Sequence, residues 1–124
     1  MSHPPEVRQH LILLKYPADG VPPAAAEMQE IMARFAAWMD GLQKQGRVAA
    51  TNGLENGGKV LRGPVGKTII TDGPFAEGKE VVGGYVLLHA STADEALAAA
   101  KACPGLDYRM IVEVRPIVPK AHCV

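Results

Sequence analysis

Apolar residues form three short stretches along the chain and recur at helical spacing along two longer ones. Residues 9–16, 84–90 and 110–117 are short, mostly apolar and flanked by turn residues, a pattern that favours strands. Residues 24–45 and 92–102 place apolar side chains three and four positions apart, a pattern that favours helices. The sequence therefore predicts a chain that mixes strands and helices.

The region between the first helix and the second clear strand predicts further short strands. Residues 47–58 favour a strand that breaks at turn residues. Residues 59–71 favour two strand pieces around a Gly-Pro turn. The order strand, helix, two or more strands, helix, strand is typical of α+β ferredoxin-like folds, βαββαβ, with one antiparallel sheet and both helices on one face. A single domain over residues 1–124 is expected, with loose tails at 1–8 and 118–124.

Both helices carry local signals. The first presents an apolar stripe, which we interpret as a core face rather than a cofactor slot. The stripe comprises Met28, Ile31, Met32, Phe35, Trp38, Met39 and Leu42. The second helix has Thr92 followed three residues later by Glu95, the spacing of a capping box.

Two helices cover one face of the sheet, so the strand residues of the other face need a different cover. Alternation places apolar and polar side chains together on that face. They are Tyr85, Leu87, His89, Ile111, Glu113 and Arg115. A mixed face of this kind is typical of one that packs on a second copy and encloses a cleft, so a homodimer is expected.

Composition and sequence motifs argue against several classes of function. The formal net charge is zero and the pI is near 6.9, unlike the basic surface of a nucleic-acid binder. No apolar run is long enough for a membrane span, and residues 1–8 lack a signal-peptide core, so a cytoplasmic protein without membrane partners is expected. Cys103 and Cys123 form no C-x-x-C pair, the histidines show no metal-ligand spacing, and no nucleotide-binding fingerprint occurs, so we predict no metal and no cofactor.

The densest group of candidate functional residues is the segment 71–80. Asp72 can close an Asp-Gly-Pro turn through its carboxylate. Phe75 offers a ring for a pocket wall, and Glu77, Lys79 and Glu80 place three ionisable groups within four residues. Carboxylates beside a cation can be tuned for proton transfer. The same residues also form ordinary turns and solvated loops, which is the commoner role.

The strands supply the remaining candidates. Arg115 can clamp a substrate carboxylate in a bidentate manner, or pair with Glu80 or Asp72 and tie the 71–80 segment to the sheet. His10 and His89 lie on predicted strands, where either can act as a base, although a lone strand histidine is more often structural.

The segment TDGPFAEGKEVVGGY, together with VEVRP at residues 112–116, closely resembles the DGPF branch of the YCII-related proteins. The resemblance implies a ferredoxin-like subunit that pairs into a dimeric α+β barrel. Some relatives use a His–Asp pair as acid and base, and Asp72 matches that aspartate by position. Their histidine falls early in the first helix, where residues 24–45 contain none.

Three functions are therefore open. One is acid/base catalysis, of the isomerase or lyase type, on a small anionic organic molecule. Its catalytic residues would be Asp72, His89, Glu77 and Glu80. Its substrate-binding residues would be Arg115, Phe75, Tyr85, Glu113 and Lys79. The alternatives are a small-ligand-binding protein without chemistry and a regulatory protein, which the resemblance links to sigma factors.

Overall fold

The computed structural model describes residues 8–73 and 80–119. Six strands, two α-helices and one 3₁₀ helix follow one another along these residues. They are β1 (Gln9–Pro17), α1 (Ala25–Lys44), β2 (Val48–Gly53), β3 (Lys59–Arg62), β4 (Ile69–Asp72), β5 (Glu80–His89), α2 (Ala93–Lys101), the 3₁₀ helix (Pro104–Tyr108) and β6 (Ile111–Pro116).

Four strands form one antiparallel sheet in the order β2-β5-β1-β6. The first and third of its strands along the chain lie at the centre, which is the arrangement of a ferredoxin-like α+β fold. Both helices contribute buried residues to the core on one face of this sheet. The fold expected from the sequence is therefore confirmed.

The core lies between the helices and the face of the sheet that they cover. Ile12, Val86 and Leu88 are fully buried there, because alternation along β1 and β5 points them all to the same side. The Trp38 indole nitrogen donates to the Ala99 carbonyl oxygen at 3.0 Å and joins α1 to α2. This hydrogen bond satisfies the indole inside a largely apolar layer.

The apolar stripe of α1 is a core face only toward the end of the helix. Leu42 is buried and Trp38 packs against the core, as predicted. The interpretation was wrong for Met28 and Met32, which are exposed.

No helix among the described residues is long and apolar enough to cross a membrane.

The N-cap predicted for α2 is present at Thr92, but Glu95 reaches back to the residue before the cap rather than to the cap itself. Thr92 accepts a hydrogen bond from the Glu95 backbone nitrogen at 3.2 Å, and the Glu95 carboxylate accepts one from the Ser91 nitrogen at 3.0 Å. These contacts satisfy two donors at the helix start.

The 3₁₀ helix between α2 and β6 was not predicted from the sequence. The Arg34 guanidinium, on α1, donates to the Asp107 carboxylate at 2.7 Å and to the Tyr108 hydroxyl at 3.0 Å. These contacts hold the 3₁₀ helix against α1 and set the start of β6.

The strand pieces predicted within residues 59–71 are present, but they pair only with each other as a β3–β4 hairpin. Strand β5 begins at Glu80, earlier than predicted, and it includes Gly83 and Gly84.

Candidate functional site

The helix-free face of the sheet carries side chains from all four strands in register. Across its middle, Asn52 lies opposite Tyr85, Tyr85 opposite Leu13, and Leu13 opposite Glu113. In the next row, Leu87 lies opposite Leu11. The centre of the face is therefore a floor of leucines with polar groups at its sides.

Lys15 connects the charged groups of this face. Its ammonium contacts the Glu113 carboxylate on β6 and lies 3.7 Å from the Glu80 carboxylate on β5. The Arg115 Nε lies 3.9 Å from the other Glu113 oxygen. Two cations and two carboxylates thus alternate over three adjacent strands, and we call these four residues the charged cluster.

The contact between Lys15 and Glu113 sets the protonation of both groups. The hydrogen bond from Lys15 holds the pKa of the Glu113 carboxyl below its usual range. The same hydrogen bond raises the pKa of Lys15 against the opposing effect of burial. Both groups are therefore charged near neutral pH. A general acid or base works best with a pKa near the working pH, so this pair suits binding and orientation better than proton transfer.

A β-bulge positions Lys15 and Glu80. The register between β1 and β5 shifts between Leu14 and Lys15, where Lys15 lies opposite Val82. A Cβ added at Gly83 would lie 2.8 Å from the Tyr16 ring, so glycine lets the ring pack directly on the backbone. Bulges re-aim side chains, and here the bulge lies beside the charged cluster.

Tyr85 borders the leucine floor on the side away from the charges. Its hydroxyl accepts a hydrogen bond from the Asn52 side-chain nitrogen at 3.0 Å, and the Thr51 hydroxyl donates to its carbonyl oxygen at 2.9 Å. Because Asn52 supplies the donor, the phenol can give its own hydrogen to a ligand.

Asp72 lies on the β3–β4 hairpin and is 87% exposed. Its carboxylate pairs with Lys59, its cross-strand neighbour. No ion pair or hydrogen bond among the described residues joins Asp72 to the charged cluster. Phe75, Glu77 and Lys79 lie outside the described residues.

The two strand histidines lie on opposite faces of the sheet. His10 faces the helices and is 2% exposed, so it is not available as a base on the helix-free face. His89 is half-buried on the helix-free face. Its Nδ1 is buried, and no group among the described residues hydrogen-bonds to it.

The predicted ion pair between Arg115 and Glu80 or Asp72 does not form. Glu80 forms its ion pair with Lys15, and Asp72 forms its ion pair with Lys59. Arg115 lies closest to Glu113. Strand β1 lies between β5 and β6, and Glu80 is paired with Pro17 whereas Arg115 is paired with Leu11. Six residues of strand separate those rows by about 20 Å, beyond the reach of an arginine.

Lys15 is the functional candidate that sequence reasoning missed. Its signal was a single charged residue at the end of an apolar strand, on the same face as Leu11 and Leu13. Among residues 8–73 and 80–119, no three His, Cys, Asp or Glu side chains gather in a way that could hold a metal ion.

A shallow depression of about 470 Å³ lies where the β3–β4 hairpin leaves the sheet. Segments before β3 and at the start of β5 form its walls. Its lining residues are Leu54, Glu55, Asn56, Gly57, Glu80, Val81 and Val82. It shares Glu80 with the charged cluster, so the two sites are adjacent.

Comparison with known proteins gives a family. The family model of the YCII-related domain matches residues 9–120, which include every strand and helix described above. An uncharacterised protein of Rhizobium meliloti (strain 1021) is 49% identical over 42 residues, which are 34% of this chain and 34% of that protein. The chain thus matches about a third of that relative's length. Because the family model covers nearly the whole chain, the protein belongs to the YCII-related family.

Proposed function

We propose that this protein, as a member of the DGPF branch, binds a small organic anion in a cytoplasmic setting. The ligand lies on the helix-free face of the sheet, and a second copy of the chain closes the cleft. The observation that carries this proposal is the charged cluster, which sets fixed charges beside an apolar floor. Ligand sites combine apolar walls with a few placed polar groups in the same way.

Arg115 is the group we assign to the anion. Its side chain is 68% exposed, its Nε lies 3.9 Å from Glu113, and its terminal nitrogens form no hydrogen bond among the described residues. The two terminal nitrogens of the guanidinium can therefore form the planar fork that binds a carboxylate in a bidentate manner. Glu113 and Lys15 orient that fork, and Tyr85 supplies a hydroxyl on the far side of the leucine floor.

A thermal-shift series with small mono- and dicarboxylates tests this assignment, since a ligand that binds the native state raises the melting temperature. We expect a shift in the wild type that is strongly reduced in Arg115→Lys. Arg109→Lys is the matched control, because Arg109 precedes β6 and lies outside the sheet. Equal shifts in Arg115→Lys and the wild type would remove Arg115 from the site.

An acid/base enzyme is the second candidate, and His89 favours it. His89 lies on the same face as the charged cluster, and its Nδ1 has no hydrogen-bond partner among the described residues, whereas Glu113 and Lys15 are already paired with each other. The role predicted for Asp72 requires dimerisation to cover its carboxylate, which is 87% exposed in one chain.

Hydrogen–deuterium exchange into carbon-bound positions of a carboxylate that binds separates the two candidates. The enzyme candidate requires exchange that is lost in His89→Gln and reduced in Asp72→Asn, with binding retained. Binding without exchange supports the ligand-binding protein. No binding by any carboxylate, with an intact dimer, would instead favour the regulatory role.

A further inference from the structure

The β3–β4 hairpin exposes large apolar side chains on both of its faces. Leu61 and Ile70 form one cross-strand pair and are 60% and 61% exposed, while Ile69 is 68% exposed on the opposite face. A two-stranded hairpin that packs on nothing is marginal in water. No other described strand or helix packs extensively on this hairpin, so a second copy that covered these side chains would stabilise it.

The tip of the hairpin is a hydrogen-bonded β-turn that exposes a valine. The Lys67 backbone nitrogen donates to the Pro64 carbonyl oxygen at 2.9 Å, and Gly66 has a φ of 86°, as the third residue of a type II turn requires. Gly63 has a φ of 98°, and a Cβ there would lie 3.0 Å from the Lys67 carbonyl oxygen. Val65 is held fully exposed at the second position of this turn.

The depression at the base of the hairpin complements its tip in charge and polarity. Among the described residues, the depression is lined by two carboxylates, Glu55 and Glu80, and by no cation, with Leu54, Val81 and Val82 as apolar walls. Residues 63–68, which form the tip, contain one cation, Lys67, and no carboxylate, beside exposed Val65. Opposite charges around apolar groups are the pattern of complementary interfaces.

A hairpin cannot fill the depression of its own chain, because the strands hold the tip about 13 Å from the base. A second copy can. A two-fold axis that passes beside the hairpins would set them side by side in opposite directions, so that each tip meets the base of the other. The zero net charge of the chain leaves little repulsion between copies.

We propose that the β3–β4 hairpin is an exchanged arm of the homodimer. Val65 and Lys67 at its tip occupy the depression of a second copy, beside Glu55 of the partner subunit. This inference rests on the homodimer of the proposed function and adds a second contact to it. It also gives Glu80 two neighbours, Lys15 within the chain and the incoming tip, so the arm reaches the edge of the ligand site.

Sedimentation velocity on the full chain tests the arm. We expect Val65→Asp to raise the dimer dissociation constant by at least about tenfold, as for an apolar anchor in a pocket. Val21→Asp is the matched control, because Val21 is 91% exposed and lies outside the hairpin. Lys67→Glu and Glu55→Lys should each weaken the dimer, and the double variant should recover most of the loss.

Disulfide trapping gives an independent measurement. Val65→Cys and Asn56→Cys are made in separately tagged chains that carry Cys123→Ser, while Cys103 stays because it is buried. Mixing the two chains should give a cross-link between them. A wild-type dimer that is unaffected by Val65→Asp and gives no cross-link would overturn the arm alone. A monomeric wild type would overturn both the arm and the dimeric cleft.

Discussion

The two faces of the four-stranded sheet carry opposite kinds of residues, although the same strands supply both. On the covered face of β1 and β5, Ile12 and Leu88 are fully buried beneath the helices. On the helix-free face, the same two strands present Leu11, Leu87 and Lys15, which neither of the two described helices covers. One face is packed within the described part of the chain, and the other is the face on which we place the proposed ligand and second copy.

The difference shows where stability and function are divided in this fold. The covered face gains its stability from close packing, and its histidine, His10, is buried. The helix-free face keeps two cations and two carboxylates together on an apolar floor, an arrangement that a folding core has no need for. We therefore expect changes on the covered face to act on folding, and changes on the helix-free face to act on binding and assembly.

The largest expected effect comes from adjacent leucines of β5 that point to opposite faces. Leu88→Ala should lower the free energy of unfolding by about 2–5 kcal/mol, because it leaves a cavity in a closed core. Leu87→Ala should cost about 1 kcal/mol in unfolding and instead weaken the dimer. Urea unfolding measures the free energy of unfolding of both variants, and sedimentation measures their dimer dissociation constants. Equal losses of unfolding free energy in the two variants would contradict the proposed difference between the two faces.

A smaller effect is expected at the start of α2, on the covered side. Thr92→Ala removes the side-chain acceptor for the Glu95 nitrogen and should cost about 1 kcal/mol in the free energy of unfolding. Carboxylate binding and the dimer dissociation constant should stay unchanged, because the cap lies away from the helix-free face. A loss of ligand binding larger than the loss of stability would show that the two faces are coupled.

The smallest effect is a pH dependence that belongs to the helix-free face. The lowered pKa of Glu113 means that its contact with Lys15 stabilises the fold above the ordinary carboxyl pKa of 4.5 and is lost as the pH falls through the lowered value. The raised pKa of Lys15 means that its contribution is present below 10.5 and is lost as the pH rises through the raised value. Lys15→Met should remove both dependences from the melting temperature.

Lys44→Met is the matched control for this pH experiment. Lys44 pairs with Asp40 at 3.0 Å on the exposed side of α1 and is 77% exposed. Exposed helix pairs contribute little to stability, so this variant should keep the pH profile of the wild type. Identical profiles for the Lys15 and Lys44 variants would contradict a special role for the charged cluster.

Local patterns in the sequence predict the elements well, since their causes are local. The alternation in β1 places Ile12 and Leu11 on the correct faces, and the spacing of Thr92 and Glu95 predicts the cap. The whole apolar stripe of α1 is predicted to face the core, but only part of it does. Periodicity shows which side chains share a face of the helix, and it does not show how far the core extends along that face. Met28 and Met32 continue the stripe beyond that core.

Contacts between strands cannot be predicted from local sequence patterns, because they depend on strand order and register. The sequence predicts Glu80 as a partner of Arg115, but β1 lies between their strands and Lys15 pairs with Glu80 instead. Neither the bulge after Leu14 nor the separate pairing of β3 with β4 has a clear signature in one sequence. The charged cluster results from this register, so the sequence alone does not predict a role for Lys15.

The molecular mass in solution tests most directly whether a second copy closes the helix-free face. Light scattering of the wild type should give twice the 13.2 kDa of one chain. Leu13→Lys, which places a charge at the centre of the leucine floor, should raise the dimer dissociation constant by at least about tenfold. A wild type at 13.2 kDa, or a Leu13→Lys variant that dimerises as well as the wild type, would contradict the dimeric cleft.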